Sequence, residues 1–272
     1  MPELPEVETI VRGLNSMVKG LTVQRLPHVS PHLLKREPQL RQLTGDTFKL
    51  FERRGKYIIA HLKSGKRLMI HLRMSGCILV GEDQRRRDKH DHLEIVFRAR
   101  RRRLVFRDVR KFGVIQFVRD GQQETLNRLG VEAPAITASQ LQALVCQSKR
   151  PVKSLLLDQY VIAGLGNIYV DESLYRSGIH PLQAASSLSA NEIRALARAI
   201  RQIMASAIKN LGTTFDSFLG VNGETGRFAR YLKVYHQDGS RCGECGDIIA
   251  RIKVGGRGTH FCPTCQKEHR RS

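Results

Sequence analysis

Two groups of residues, at opposite ends of this 272-residue chain, have types and spacings suited to chemistry. The first is the start, Met1-Pro2-Glu3-Leu4-Pro5-Glu6. A small second residue favours removal of the initiator methionine, which exposes Pro2 as a secondary amine. An α-amino group has a pKa of about 7.7–8.0, against about 10.4 for a lysine side chain, so a useful fraction is unprotonated near neutrality. Such an amine can attack a sugar aldehyde and form an iminium. Glu3 and Glu6 are three apart, so a helical start puts both carboxylates on one side, where one can protonate a leaving or ring oxygen. The same residues equally suit an ordinary helix N-terminus, where acidic side chains complement the macrodipole.

The second group is Cys242-Gly-Glu-Cys245, sixteen residues, then Cys262-Pro-Thr-Cys265. This spacing is that of a zinc ribbon: two tight turns each present a thiolate pair, and one tetrahedral Zn²⁺ takes all four, leaving no open position for catalysis. Two disulfides are the alternative, disfavoured in a reducing compartment. Between the pairs, RIKVGGRGTHF reads as two β arms around a Gly-rich turn with Arg257 at the tip. That position suits either a phosphate contact or plain solvation. Cys77 and Cys146 stand alone and read as packing residues.

The elements that must position these groups change near the middle of the chain. Val7, Ile10, Val11, Leu14, Met17 and Val18 recur at helical spacing, with Pro5 suited to the first turn. From about 45 to 120 the pattern is strand-like, and KRLMIHLRMSG alternates Leu68, Ile70 and Leu72 against Met69, His71 and Arg73, as a strand with one buried face would. RLGVEAPAI (128–136) reads as a linker. Ser189 and Glu192 form a capping box, with Leu188 and Ile193 as its staple and Gly212 as a stop signal beyond the helix. We therefore expect an α+β chain: an N-terminal β-sandwich with an N-terminal helix, then a helical domain ending in a β-hairpin zinc ribbon. The expected boundaries are 1–130, 131–235 and 236–272.

The charge narrows the partner. Lys and Arg number 46 against 25 Asp and Glu, a net charge of +21, which points to a polyanion. No apolar run reaches a membrane span, and the acidic start is unlike a signal peptide. An intracellular protein with no membrane partner is expected, and ribosomal or other RNA stays open as the polyanion on charge alone. The runs Arg85–Arg87 and Arg100–Arg103 read as solvated faces. AGLGNIYVDE lacks the third glycine of a dinucleotide fingerprint, so no nucleotide cofactor is expected. LLLDQ reads instead as one helix end and IYVDESLYRSG as the next helix, with Asn167 at its start, where free N–H groups suit a phosphate.

PELPEVETIVRGL, joined to the four-cysteine tail, resembles the formamidopyrimidine-DNA glycosylases. The likeness continues through RRGKYI (53–58), HLRMSG (71–76), KHDH (89–92), RDVRKFG (107–113), LLLDQYVIAGLGNIYVDESL (155–174) and GTTFDSFLGVNGETGRF (212–228). The resemblance implies a bifunctional glycosylase and lyase for oxidised purines in double-stranded DNA, with one structural zinc and DNA in a basic cleft between the domains. Pro2 would attack C1′ of a flipped-out nucleotide, as base-processing enzymes require, and Glu3 would act as acid on the sugar oxygen. Lys56 matches the lysine of β-elimination, although a lone lysine at a strand start is ordinarily solvated. Arg257 matches the arginine of δ-elimination, and Glu6 a carboxylate near the flipped base. Asn167 matches the phosphate-binding asparagine of a helix–two-turn–helix. His90, Lys153 and, less closely, Lys149 match positions near DNA phosphates. Met74, Arg110 and Phe112 match the trio that fills the void left by the extruded base, a role that suits apolar wedges. Val109 and Lys111 depart from the family's commoner proline and arginine, which bears on the base chosen opposite the lesion. An endonuclease VIII-like enzyme for oxidised pyrimidines shares this chemistry; PELPEVET and GETGRF favour the purine enzyme. A non-catalytic zinc-ribbon DNA-binding protein is the alternative of another class.

Overall fold

The computed structural model describes residues 2–82, 86–98, 102–215 and 218–268. They fall into two compact units, residues 1–128 with 208–229 and residues 129–207 with 230–272.

In the first unit, α1 (Leu4–Met17) carries Pro5 in its first turn and buries Val7, Ile10 and Leu14 completely. After it come β1 (Val23–Val29), α2 (Pro31–Arg36), β2 (Phe48–Arg54), β3 (Tyr57–Leu62), β4 (Arg67–His71), β5 (Gly76–Glu82), β6 (Asp91–Phe97), β7 (Arg102–Asp108), β8 (Val114–Phe117) and α3 (Asp120–Asn127). The strands form two four-stranded sheets, β1-β6-β7-β5 and β2-β3-β4-β8, with every neighbouring pair antiparallel. Side chains of both sheets share one apolar core, in which Phe48 stacks on Phe51 at 5.2 Å and meets Phe97 edge-on at 6.1 Å. This is the expected sandwich. One detail differs: β4 lies between β3 and β8, so Met69 and His71 are buried along with Leu68 and Ile70.

The second unit contains β9 (Val131–Glu132), α4 (Ala138–Val145), α5 (Val152–Leu156), β10 (Ile162–Ala163), α6 (Asn167–Arg176), most of α7 (Ala190–Lys209), β11 (Ala250–Val254) and β12 (Arg257–Phe261). The segment expected to be a linker is built in: β9 pairs with β10 in parallel. Gly130 makes this possible, since a Cβ there would lie 2.2 Å from the Val161 carbonyl oxygen. The Ser189 amide donates to Glu192 at 2.7 Å and the Glu192 amide to the Ser189 hydroxyl at 3.3 Å, so the capping box is formed. Beyond α7 the chain turns through Leu211 and Gly212, with φ of 62° and 78°. Among the described residues, no helix is long and apolar enough to cross a membrane. Cys77 is buried as expected, but Cys146 is exposed, because it caps the open end of α4.

Candidate active site

The start of the chain is held from one side chain. Pro2, Glu3 and Glu6 are all buried. Glu3 is the N-cap of α1, and its amide donates to Glu6 Oε2 at 2.7 Å. The other oxygen, Oε1, accepts the Thr213 amide at 2.7 Å. A single carboxylate therefore takes one backbone donor from the start of the chain and one from the segment returning after α7. Two glycines permit the approach. A Cβ at Gly212 would sit 2.5 Å from Glu6 Oε1, and one at Gly13 would sit 2.2 Å from Val221 Cγ2. The returning segment is also tied to the sandwich, the Val80 amide donating to the Val221 carbonyl at 2.6 Å. Asp216 and Ser217, within the GTTFDSFLG motif, lie outside the described residues, as does Met1.

Lys56 occupies the β2–β3 turn, after Gly55 with φ 55°, yet is only 6% exposed, unlike a solvated turn lysine. The turn is fastened to α1 through Arg53, which donates to Glu8 at 3.0 Å and to the Gly55 carbonyl at 3.1 Å. Near it, His71 meets Tyr57 edge-on at 4.6 Å. Burial and the positive charges of Arg73 and Lys56 push the His71 pKa down to about 3, so the ring is neutral. Its Nδ1 accepts the Arg73 amide at 3.0 Å, and Arg73 takes the left-handed φ of 56°. That turn delivers the next residue, Met74, to the surface, where it is 42% exposed.

Met74, Arg110 and Phe112 stand on two loops pinned by Asp108. The Asp108 carboxylate is fully buried. It accepts the Ser75 hydroxyl and the Arg110 amide on Oδ1 and the Gly113 amide, at 2.7 Å, on Oδ2. Phe112 and Val109 are left more than half exposed. Apolar side chains held out from a rigid base are what an intercalating wedge requires. His90 is half-buried on the turn before β6, with its carbonyl accepting the Asp108 amide at 3.0 Å. Arg85, Arg100 and Arg101 lie outside the described residues. Arg103 is not merely solvated, since it lies 3.4 Å from buried Glu94, and Arg102 donates to the Met17 carbonyl.

In the second unit, Lys153 is completely buried and donates to Asp171 Oδ1 at 2.6 Å and to the Gly258 carbonyl at 3.2 Å. Its ammonium thus faces inward rather than toward a surface phosphate. Asp171 Oδ2 accepts the His260 amide at 2.9 Å, and Asn167 Nδ2 donates to the same Gly258 carbonyl at 2.8 Å. This network fixes the first turn of α6 against β12. Gly255 and Gly256, both with positive φ, make the tight turn that places Arg257, exposed, at the hairpin tip. Lys149 is exposed between α4 and α5. The four cysteines are free thiols with sulfurs within 4.8 Å of one another. Cys245–Cys262 and Cys242–Cys265 lie at 3.4 and 3.8 Å, close to the ~3.8 Å edge of a tetrahedron with ~2.3 Å Zn–S bonds. The donor set fits one structural zinc. Thr213, His71, Asp108, Asp171 and His260 carry much of this arrangement and were not singled out from the sequence. The motifs contain most of them, but the decisive partners of Thr213, Asp171 and His260 lie far away along the chain.

Comparison with known proteins agrees along the whole length. Residues 1–115 match the formamidopyrimidine-DNA glycosylase N-terminal domain, 129–218 the formamidopyrimidine-DNA glycosylase H2TH domain, and 239–267 a zinc finger found in FPG and IleRS. The chain is 43% identical over 277 residues to a formamidopyrimidine-DNA glycosylase of Lactiplantibacillus plantarum, covering 98% of this chain and 100% of that one. It is 40% identical over 275 residues to its namesake in Bacillus subtilis, covering 98% and 99%. Among solved structures it resembles the Lactococcus lactis Fpg bound to abasic-site DNA, with TM-score 0.91, 36% identity and coverage of 98% and 100%. The same coverage, at TM-score 0.90 and 37% identity, holds for the wild-type L. lactis protein with DNA containing N7-benzyl-Fapy-dG.

Proposed function

The chain belongs to the formamidopyrimidine-DNA glycosylase family, and on that premise we infer that it excises oxidised purines from duplex DNA and cuts the abasic strand. The observation that carries this reading is the Glu6 carboxylate, which holds the Glu3 amide at 2.7 Å and so fixes the N-terminal amine beside two buried carboxyl groups. With Met1 removed, the Pro2 nitrogen attacks C1′ of the extruded nucleotide. The bond from C1′ to the damaged base breaks, the base leaving with the proton that the Pro2 nitrogen gives up, and Glu3 then delivers its proton to the ring oxygen as the sugar opens to an iminium. Loss of the C2′ proton expels the 3′ phosphate, and a second elimination expels the 5′ phosphate.

In this reading Lys56 assists the first elimination and Arg257 the second. Met74, Arg110 and Phe112 occupy the vacated stack. Asn167, His90 and Lys149 hold phosphates; Asn167 keeps one amide hydrogen beyond the one given to Gly258. Lys153 acts from inside, by holding Asp171 and β12. Cys242, Cys245, Cys262 and Cys265 would hold the zinc, whose contribution is to stabilise the hairpin bearing Arg257. We assign a catalytic region to 1–130, a helix–two-turn–helix region to 131–235 and the ribbon to 236–272, noting that 208–229 folds with the first unit. The protein acts as a monomer on chromosomal DNA in the cytoplasm.

Borohydride reduction on duplex containing 8-oxoguanine opposite cytosine tests the reading. A covalent protein–DNA adduct is expected, and it is lost in Pro2→Gly or when Met1 is retained. An adduct that survives Pro2→Gly refutes the assignment. Faster excision of thymine glycol would move the enzyme to the pyrimidine-specific branch.

A further inference from the structure

A basic recess lies in the first unit, away from Pro2 in sequence and unused by the mechanism above. A pocket of about 360 Å³ is lined by His28, His32, His92, Arg87, Lys89 and Lys111, together with Asp91 and the start of α2. Its one carboxylate is already committed. Asp91 accepts Arg107 Nε at 2.7 Å and Nη2 at 3.2 Å, and also the Asp88 amide at 2.8 Å. Three basic side chains therefore line the pocket beside one carboxylate that is already paired with Arg107, while buried Glu94 acts on His28 from behind the lining.

The imidazoles add donors. Arg87 donates to His28 Nδ1 at 3.1 Å. A guanidinium can only donate, so Nδ1 is the acceptor and the ring's hydrogen is on Nε2. Burial and the adjacent Arg87 charge hold the His28 pKa below its ordinary value. His92 Nε2 lies 2.8 Å from the Asp108 carbonyl and donates to it, tying the pocket wall to the loop of Arg110 and Phe112. On that loop Lys111 takes a φ of 58°, a conformation costly for a residue with a side chain. His32 Nε2 is buried without a hydrogen-bond partner. The basic side chains of Arg87, Lys89 and Lys111, with the Nε2 hydrogen of His28 as a further donor, suit a multivalent oxyanion and oppose a metal cation, despite the three imidazoles.

We propose that this pocket binds one phosphoryl group, through Arg87, Lys89, Lys111 and the imidazoles of His28 and His32. The group comes either from a DNA backbone or from a free phosphorylated species. The proposal does not depend on excision, because its primary test is read on the protein alone. Inorganic phosphate is titrated into the full chain at constant ionic strength, with chloride as the counter-salt, while the imidazole ¹⁵N resonances are followed. Saturable shifts at His28 and His32 are expected, weakened at least tenfold in Arg87→Gln/Lys89→Gln, whose two side chains are exposed and leave the core untouched. Wild-type shifts that never saturate, or saturation unchanged in the variant, overturn the proposal. Given saturation, duplex affinity against salt identifies the source. A slope reduced by about one unit in the variant assigns the pocket to a DNA phosphate, and an unchanged slope assigns it to a free phosphorylated ligand.

Discussion

The backbone amide of Thr213 donates to the Glu6 carboxylate at 2.7 Å across 207 positions of sequence. Because the other Glu6 oxygen holds the Glu3 amide, the start of α1 beside Pro2 and the segment following α7 are set by one carboxyl group. Glu6→Gln keeps the shape, but its single amide oxygen accepts only one of the two backbone amides and its NH2 is set against the other donor, a loss of about 2 kcal/mol. We expect a melting temperature several degrees lower and borohydride trapping slowed about tenfold. Gly212→Ala should act similarly from the other side, since its Cβ would sit 2.5 Å from Glu6 Oε1 at a φ of 78°. Wild-type trapping rates in both variants would show that the clamp does not govern the nucleophile.

Asp108 links the Met74 and Phe112 loops, so its effect should fall on base extrusion. Asp108→Ala leaves the buried Gly113 amide without its acceptor, a cost of about 1–3 kcal/mol. The expected signature is a split: excision of 8-oxoguanine from duplex falls about tenfold or more, while cleavage of a preformed abasic site, which has no base to extrude, falls much less. Equal losses on the two substrates would contradict the assignment.

Lys153 and Asp171 form a buried ion pair at 2.6 Å with both side chains wholly inaccessible. Lys153→Ala strands a buried carboxylate, and about 3–5 kcal/mol of stability should be lost in denaturant unfolding. The slope of log affinity against log salt, measured on protein still folded at low temperature, should be unchanged, because this ammonium neutralises Asp171. A slope lower by about one would instead put Lys153 on a phosphate.

His71 gives an acid sensitivity with a defined sign. Its folded pKa is about 3, against 6.5 for the free side chain. The unfolded chain therefore binds a proton that the fold refuses. The stability contributed by the neutral ring is complete above pH 6.5 and is lost as pH falls toward 3. The slope approaches about 1.4 kcal/mol per pH unit within that window. In His71→Gln, chemical denaturation between pH 6.5 and 4 should show a visibly shallower decline; an unaltered profile would dismiss His71 as its source.

The sequence by itself determined which reactive groups are available and most of the elements. Pro2 with Glu3 and Glu6 specified an amine beside carboxyl groups, the two CxxC pairs specified four thiolates, and helical spacing from Val7 to Val18 specified α1. These signals are local, because a period of 3.6 or a two-residue gap between cysteines is fixed by covalent geometry. Cys146 is exposed where its type suggests packing, and 128–136 pairs as a strand where its composition suggests a linker, because burial and strand pairing depend on what arrives from elsewhere in the chain. Tertiary structure alone decided that Lys153 turns inward to Asp171, that Lys56 is buried in a hairpin turn, that Asp108 joins its own loop to the Ser75 hydroxyl, and that Glu6 gathers backbone amides from two distant segments. A carboxylate has the same composition wherever it sits; which amides it receives depends on how distant segments pack together, and no periodicity along the chain encodes that.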